Sequence, residues 1–211
     1  MEKLKKSEQS RQAILAAAEI EFSEKGLYGA RIDEIASRSG INKRMIYQYF
    51  GNKNGLYKTV LVTVYNRLGA CESEVIGFAG ECLDEIRQMI RAYFYFLKNN
   101  PTYVRMVMWE NLNYAASFQE NNLGGIRNPV KIELKRLISE GKSKGIIRQD
   151  INDEQVLQTL FACSFNYFSN IHTMCHVLNR NLLAEDVIEE RIHSVTDMVM
   201  QYICQGGELD V

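Results

Sequence analysis

An all-α fold is predicted for this chain, and three observations predict it. Only two prolines, Pro101 and Pro129, interrupt 211 residues. The stretches around them carry Leu, Ile, Met, Glu and Lys at spacings of three and four, the repeat of a one-sided helix. Five glycines, Gly26, Gly40, Gly51, Gly77 and Gly80, fall at the ends of these stretches, where they serve as stops or turns. An apolar share of 46% and a charged share of 24% are those of a globular chain with a core, and they exclude a disordered or fibrous one.

The first helix is expected over Ser10–Lys25. Ile14, Ala18 and Phe22 share one face, Ser7 or Ser10 can cap the start, and Gly26 suits the stop. A short helix over Ile32–Arg38 follows, with Ile35 and Ala36 turned inward. Ser39-Gly40-Ile41 makes a sharp turn in which Gly40 can take a positive φ. A third helix over Asn42–Tyr49 leads to Phe50, and Gly51-Asn52 turns the chain again. The fourth begins near Lys53 with Asn52 as cap and carries Tyr57, Val60, Leu61, Val64 and Leu68 as its stripe, closed by Gly77 and Gly80. Amphipathic segments follow at about 81–98, 101–118, 127–144, 153–178 and 184–204.

The formal net charge of −1 conceals an asymmetry. Residues 1–58 hold eleven Lys and Arg against seven Asp and Glu, so the basic end lies where a polyanion would be met. Five cysteines, Cys71, Cys82, Cys163, Cys175 and Cys204, are odd in number and lack a Cys-x-x-Cys pair, which fits reduced thiols. No stretch approaches the roughly 18 apolar residues of a membrane span. The basic start is followed by polar residues rather than an apolar signal segment, so a cytoplasmic location is expected.

Two short helices joined by a three-residue, glycine-containing turn form the geometry that lays the second helix in a DNA major groove. That helix reads Asn42-Lys-Arg-Met-Ile-Tyr-Gln-Tyr49. Ile46 and Phe50 can anchor it, which leaves Asn42, Lys43, Arg44, Tyr47, Gln48 and Tyr49 on the outer side or rim. Arg and Lys donate to guanine O6 and N7, whereas Gln and Asn pair with adenine. Lys53, at the start of the next helix, can hold a phosphate together with free backbone N–H groups.

Over residues 11–58 the pattern Phe22, Gly26, Ile35-Ala36, Gly40-Ile41, Ile46-Tyr47, Tyr49-Phe50, Lys53 and Leu56 resembles the DNA-binding domain of the TetR family of repressors. Gly141 to Ile151 resembles that family's connection before its eighth helix. The resemblance implies a helix-turn-helix DNA-binding domain over 1–51 and a helical ligand-binding and dimerisation domain over 52–211. It puts Lys43, Arg44, Tyr47, Gln48 and Tyr49 on the DNA side, with Tyr47 and Lys53 on phosphates. Two positions depart from the family pattern. Ala30-Arg31 replaces the usual Thr or Ser before the second helix, which turns Arg31 toward a phosphate, and Met45 replaces a small or hydroxylated residue.

The resemblance further implies a homodimer through the last two helices, reading a palindromic operator in double-stranded DNA. Phe161, Phe165 and Phe168, with Ile188, Ile192, Val195 and Val199, are the stripes suited to that pairing. It also implies a pocket for a small effector within helices 5 to 8, and the soft, adaptable side chains there point to an apolar or aromatic molecule. Tyr93, Phe96, Met106, Trp109, Asn113, Phe165 and Phe168 are the candidates. Effector binding is expected to favour a conformer with the fourth helix swung, releasing DNA. His172, Cys175 and His176, at i, i+3 and i+4, offer a metal-sensing alternative, and the thiols a redox one. No phosphate loop, nucleophile elbow or His-Glu-x-x-His sequence supports an enzyme, and no cofactor is implied. A simple carrier would leave the basic helix at 42–49 without a purpose.

Overall fold

A computed structural model describes residues 2–75, 80–121 and 129–204. Gly77 and the side chain of Cys71 lie outside the described residues. The described chain is helical, with one isolated antiparallel bridge between Ile147 and Cys204. The helices are α1 (Glu2–Gly29), α2 (Ile32–Ser39), α3 (Lys43–Phe50), α4 (Lys53–Val75), α5 (Cys82–Asn99), α6 (Pro101–Leu112), α7 (Ala116–Asn121), α8 (Pro129–Ser143), α9 (Asp153–Ser169), α10 (Ile171–Leu178) and α11 (Glu185–Ile203). Among the described residues no helix is long and apolar enough to cross a membrane.

Packing divides the chain into two compact units, Met1–Arg67 with Thr102–Ile126, and Leu68–Pro101 with Arg127–Val211. The first unit takes in most of α4, and it recruits α6 and α7 from much further along the chain.

In the first unit, Ile14, Ala18, Phe22, Ile35, Ile46, Leu56 and Leu61 are buried. Phe22 meets Tyr57 edge-on at 5.0 Å, and each such side chain withdrawn from water contributes on the order of 1.5–3 kcal/mol. Helix α1 starts well before Ser10, because the Lys- and Glu-rich residues ahead of it are good helix formers. Ser10 Oγ donates back to the Lys6 carbonyl inside the helix instead of capping its start. At the other end Gly26 adopts φ 66°, and one further turn runs to Gly29 across that kink.

The kink is filled from outside by Trp109 of α6. A Cβ added at Gly26 would stand 2.8 Å from Trp109 Cδ2, while the indole Nε1 donates to the Ser23 carbonyl at 3.2 Å. A second tie joins the same helices. Arg67 of α4 makes paired hydrogen bonds to the Glu19 carboxylate at 3.0 and 2.7 Å, and Thr102 of α6 donates its hydroxyl to the same carboxylate. Burial alone would raise the Glu19 pKa, but these hydrogen bonds and the Arg67 charge bring it below the usual carboxylate value.

In the second unit Ile86, Phe94, Leu97, Leu134, Leu137 and Ile188 are buried. The segment expected over 153–178 is broken at Asn170 into α9 and α10, and the one over 101–118 breaks after Leu112. There Tyr114 and Ala115 take φ 56° and 52° in succession. Ile188, Ile192, Val195 and Val199, read as a pairing stripe, are buried within their own unit instead. The apolar residues that α10 and α11 turn outward are Val177, Leu178, Met198 and Tyr202.

Two outcomes are expected. Gly26→Ala combines a left-handed backbone with an indole in the way, so urea unfolding should show a loss of about 2–4 kcal/mol; a loss under about 0.5 kcal/mol would contradict the packing described. Because the Glu19 pKa is lowered on folding, its contribution is complete above the unfolded value near 4.5 and is lost as pH falls through the lower folded value. Thermal melts should therefore fall off more gently in acid for Glu19→Gln than for the native chain, though from a lower neutral-pH midpoint.

Candidate functional site

The turn between α2 and α3 is built from local hydrogen bonds. Gly40 takes φ 68°, and its N–H reaches the Ser37 carbonyl. Ser39 Oγ accepts from the Ile41 N–H at 3.3 Å. Asn42 then starts α3, its side-chain oxygen accepting the Arg44 N–H at 2.8 Å. At the far end Gly51, at φ 76°, returns its N–H to the Tyr47 carbonyl at 2.8 Å. Helix α3 is thus capped at both ends within eight residues, a length at which an isolated helix would not hold.

Ile46 turns inward and is 1% exposed. Lys43, Arg44, Tyr47 and Gln48 face solvent, Tyr47 at 41%. Lys43 Nζ is engaged by the Asp33 carboxylate of α2 at 2.8 and 3.0 Å, and that contact holds the ammonium pKa above its ordinary value. Tyr49 sits on the rim rather than the outer side. It is half-buried, its hydroxyl pairs with Ser7 Oγ at 3.1 Å, and its ring stands edge-on to Phe50 at 6.2 Å. Arg11 covers the Phe50 ring at 5.7 Å.

Arg31 is exposed and occupies the cap position of α2 with no side-chain cap. Its backbone N–H goes to a residue that sequence reasoning passed over, Glu21. That carboxylate is fully buried, and Oε1 accepts from Arg31 N at 3.1 Å and from Lys25 Nζ at 2.9 Å, while Oε2 has no hydrogen-bond partner among the described residues. Burial works to raise its pKa, but the Lys25 and Arg31 hydrogen bonds and the Lys25 and Arg38 charges bring it below the usual value. A signal was present in the sequence, since Glu21 lies three residues after Ala18, on the face that packs inward. Lys53 is half-buried at the start of α4 and donates to the Tyr28 carbonyl at 3.2 Å. Burial lowers its pKa, against the pull of the Glu21 charge. Asn52 Oδ1 caps α4 by accepting from Gly55 N at 2.8 Å.

The seven candidate effector residues do not converge. Tyr93 lines an apolar cavity of about 20 Å³ in the second unit, with Met89 and Ile90 of α5, Val130 of α8, and Leu157, Leu160, Phe161 and Ser164 of α9. Phe161 leans on Tyr93 at 5.1 Å. That volume admits about one water molecule. Phe96 is buried elsewhere on α5, Phe165 is half-buried on α9, and Phe168 packs edge-on to Phe94 and Tyr167. Met106, Trp109 and Asn113 belong to the first unit. Met106 is core there, Trp109 fills the α1 kink, and the Asn113 side chain donates to the Trp109 carbonyl. Ser164, missed in the sequence, donates to the Leu160 carbonyl from the cavity wall.

His172 and His176 of α10 are exposed, and Cys175 Sγ accepts from Leu182 N at 3.4 Å. Among the described residues no cluster of three or more His, Cys, Asp or Glu has the arrangement of a metal site.

With this geometry in place, two family models match the chain. Residues 14–60 match the model of bacterial regulatory proteins of the tetR family. Residues 83–199, more than half of the chain, match the tetracyclin repressor-like C-terminal domain. The chain belongs to the TetR family. It is accordingly a DNA-binding transcriptional regulator, and members of this family form dimers on operator DNA and are not normally enzymes. The HTH-type transcriptional repressor NicS of Pseudomonas putida is 26% identical over 196 residues, covering 92% of each chain. The HTH-type transcriptional repressor SCO4008 of Streptomyces coelicolor is 27% identical over 158 residues, 74% of this chain and 76% of that one. The solved structure of the Streptomyces coelicolor regulator SCO4942 superposes with a TM-score of 0.70 at 20% identity, covering 92% of this chain and 98% of its own.

Asn42→Ala removes the one side-chain cap of α3, and chemical denaturation should register a loss of about 1 kcal/mol. An unchanged midpoint would mean that the cap does not hold α3 in solution.

Proposed function

We propose that this TetR-family regulator is a cytoplasmic repressor that binds a palindromic operator as a homodimer and is released by a small apolar or aromatic effector. The observation that carries the reading is α3 itself: a doubly capped helix, pinned by Ile46, with Arg44, Tyr47 and Gln48 in solvent. Repression follows the names of NicS and SCO4008.

Arg44 and Gln48 are assigned to base edges, and Tyr47, Arg31 and Lys53 to phosphates. Lys43 joins the phosphate contacts by exchanging Asp33 for DNA. Asn42 and Tyr49 serve the interface by holding α3 in shape and in place. Dimerisation is assigned to the last two helices, α10 and α11, through their outward Val177, Leu178, Met198 and Tyr202, which sets two copies of α3 one DNA turn apart, roughly 34 Å. The cavity at Tyr93 is too small for an effector as it stands, so an occupant there would have to favour a more open conformer, which fits a switch that works by shifting populations.

Duplexes from upstream of the protein's own coding region test the reading by fluorescence anisotropy. Binding should weaken steeply with salt, as phosphate contacts demand. Lys53→Ala should weaken every duplex alike and reduce the log–log salt slope by about 1, whereas Arg44→Ala and Gln48→Ala should each relax preference at particular base pairs by about 1–3 kcal/mol. Equal losses on all operator variants for the three substitutions would remove the assignment of base readers. Indifference to duplexes at low salt would remove the function.

A further inference from the structure

The first unit contains a buried carboxylate that the DNA interface does not use. Glu110 of α6 is 3% exposed. Its Oε1 accepts from the Tyr57 hydroxyl of α4 at 2.6 Å and from Ser117 Oγ of α7 at 3.1 Å. Oε2 is buried as well and has no hydrogen-bond partner among the described residues. Both described donors to the carboxylate are neutral hydroxyls. A buried acceptor left unsatisfied is costly, and more costly when it is charged. Methionine or leucine would occupy the same volume without that cost, so the position holds a carboxylate for some other reason.

Its surroundings suggest the reason. Tyr65 of α4 stands edge-on to Tyr103 at 5.6 Å and to Phe118 at 5.3 Å. Burial, with the Glu110 charge beside it, pushes the Tyr65 phenol up to about 12. Just beyond Glu110 the backbone passes through two successive left-handed residues, Tyr114 and Ala115, and Ala115 N returns to the Glu110 carbonyl at 2.8 Å. Strained backbone of this kind gathers at ligand clamps.

We infer that Glu110 Oε2 is the polar anchor of the effector site, and that the effector is an aromatic cation carrying a protonated or quaternary amine. A cation supplies the charge that two hydroxyls cannot, and an ammonium also supplies the missing donor. The rings of Tyr65, Tyr103 and Phe118 provide the π surface that such a group favours. The assignment rests on the effector-responsive reading above, and it places the effector at Glu110 in the first unit rather than at the small cavity beside Tyr93. It also gives the signal a short route, because the residue before Glu110 is Trp109, which fills the kink of α1.

The test uses the full chain on its operator duplex, titrated at constant ionic strength with phenethylamine, benzyltrimethylammonium and the neutral isostere 2-phenylethanol, with tetramethylammonium as the salt control. Thermal midpoint and DNA anisotropy are both followed. At least one aromatic cation should raise the midpoint and release the duplex at concentrations at least about tenfold below those of the alcohol. Glu110→Gln keeps an acceptor for Tyr57 and Ser117, so it should bind the duplex as before and lose that preference. If the alcohol releases DNA as well as the amines do, the effector-responsive repressor stands and the cation assignment falls. If the amines act equally on Glu110→Gln, or on neither protein, the assignment also falls. Should Glu110→Gln fail to fold, the wild-type preference for cation over alcohol decides alone. A wild-type chain that ignores the duplex removes the underlying function instead.

Discussion

The inward placement of Ile46 governs what α3 can present. Successive residues of an α-helix are about 100° apart, so with position 46 against the core, positions 44 and 48 lie roughly 160° away, the furthest from it. Arg44 and Gln48 are therefore the most outward side chains of the helix, and Tyr47 flanks them. Position 49 falls only about 60° from Ile46 by the same arithmetic, and the half-buried Tyr49 agrees. One buried aliphatic side chain thus sets which side chains of α3 point furthest from the core. Gly40 matters because its left-handed φ delivers α3 in that rotation.

The charge balance of the N-terminal region is sharper in three dimensions than in composition. Of the seven acidic residues among the first 58, Glu21 is wholly buried and Glu19 is held by Arg67 and Thr102. Their negative charge is turned into the interior, where it joins helices, while Arg31, Arg44 and Lys43 stay in solvent. A region with a modest surplus of positive charge accordingly presents a more basic face than its count suggests, which favours encounter with a polyanion. Glu21 also ties down the start of α2. Arg31 in the cap position has no side chain to accept from the first-turn N–H groups, but its own backbone N–H is held by a carboxylate from α1.

Local signals made the fold legible. Helical spacing, the glycines at 40 and 51 and the asparagine cap at 52 located α2, α3 and the start of α4, because each depends on neighbours a few residues away. What failed was long-range. Trp109 and Met106 have the chemistry of an effector pocket, yet one fills a kink in α1 and the other is core, and nothing near Trp109 in sequence announces a partner more than eighty residues back. The stripe at Ile188, Ile192, Val195 and Val199 carried the same ambiguity, since periodicity marks a buried face without saying whether the cover is the same chain or another. Glu21 and Glu110 were overlooked for a related reason: a carboxylate in a helix reads as a solvated face until the packing shows what encloses it.

Trp109 is the chain's one tryptophan. Its indole rests on Gly26, with Nε1 bonded to the Ser23 carbonyl, where α6 meets the helix that supports α3. Excitation at the red edge of the ultraviolet band, beyond the absorption of the eleven tyrosines, therefore addresses a single chromophore placed at that joint. Any rearrangement that opens the kink changes the polarity around one indole, and its emission wavelength follows without a label having to be attached.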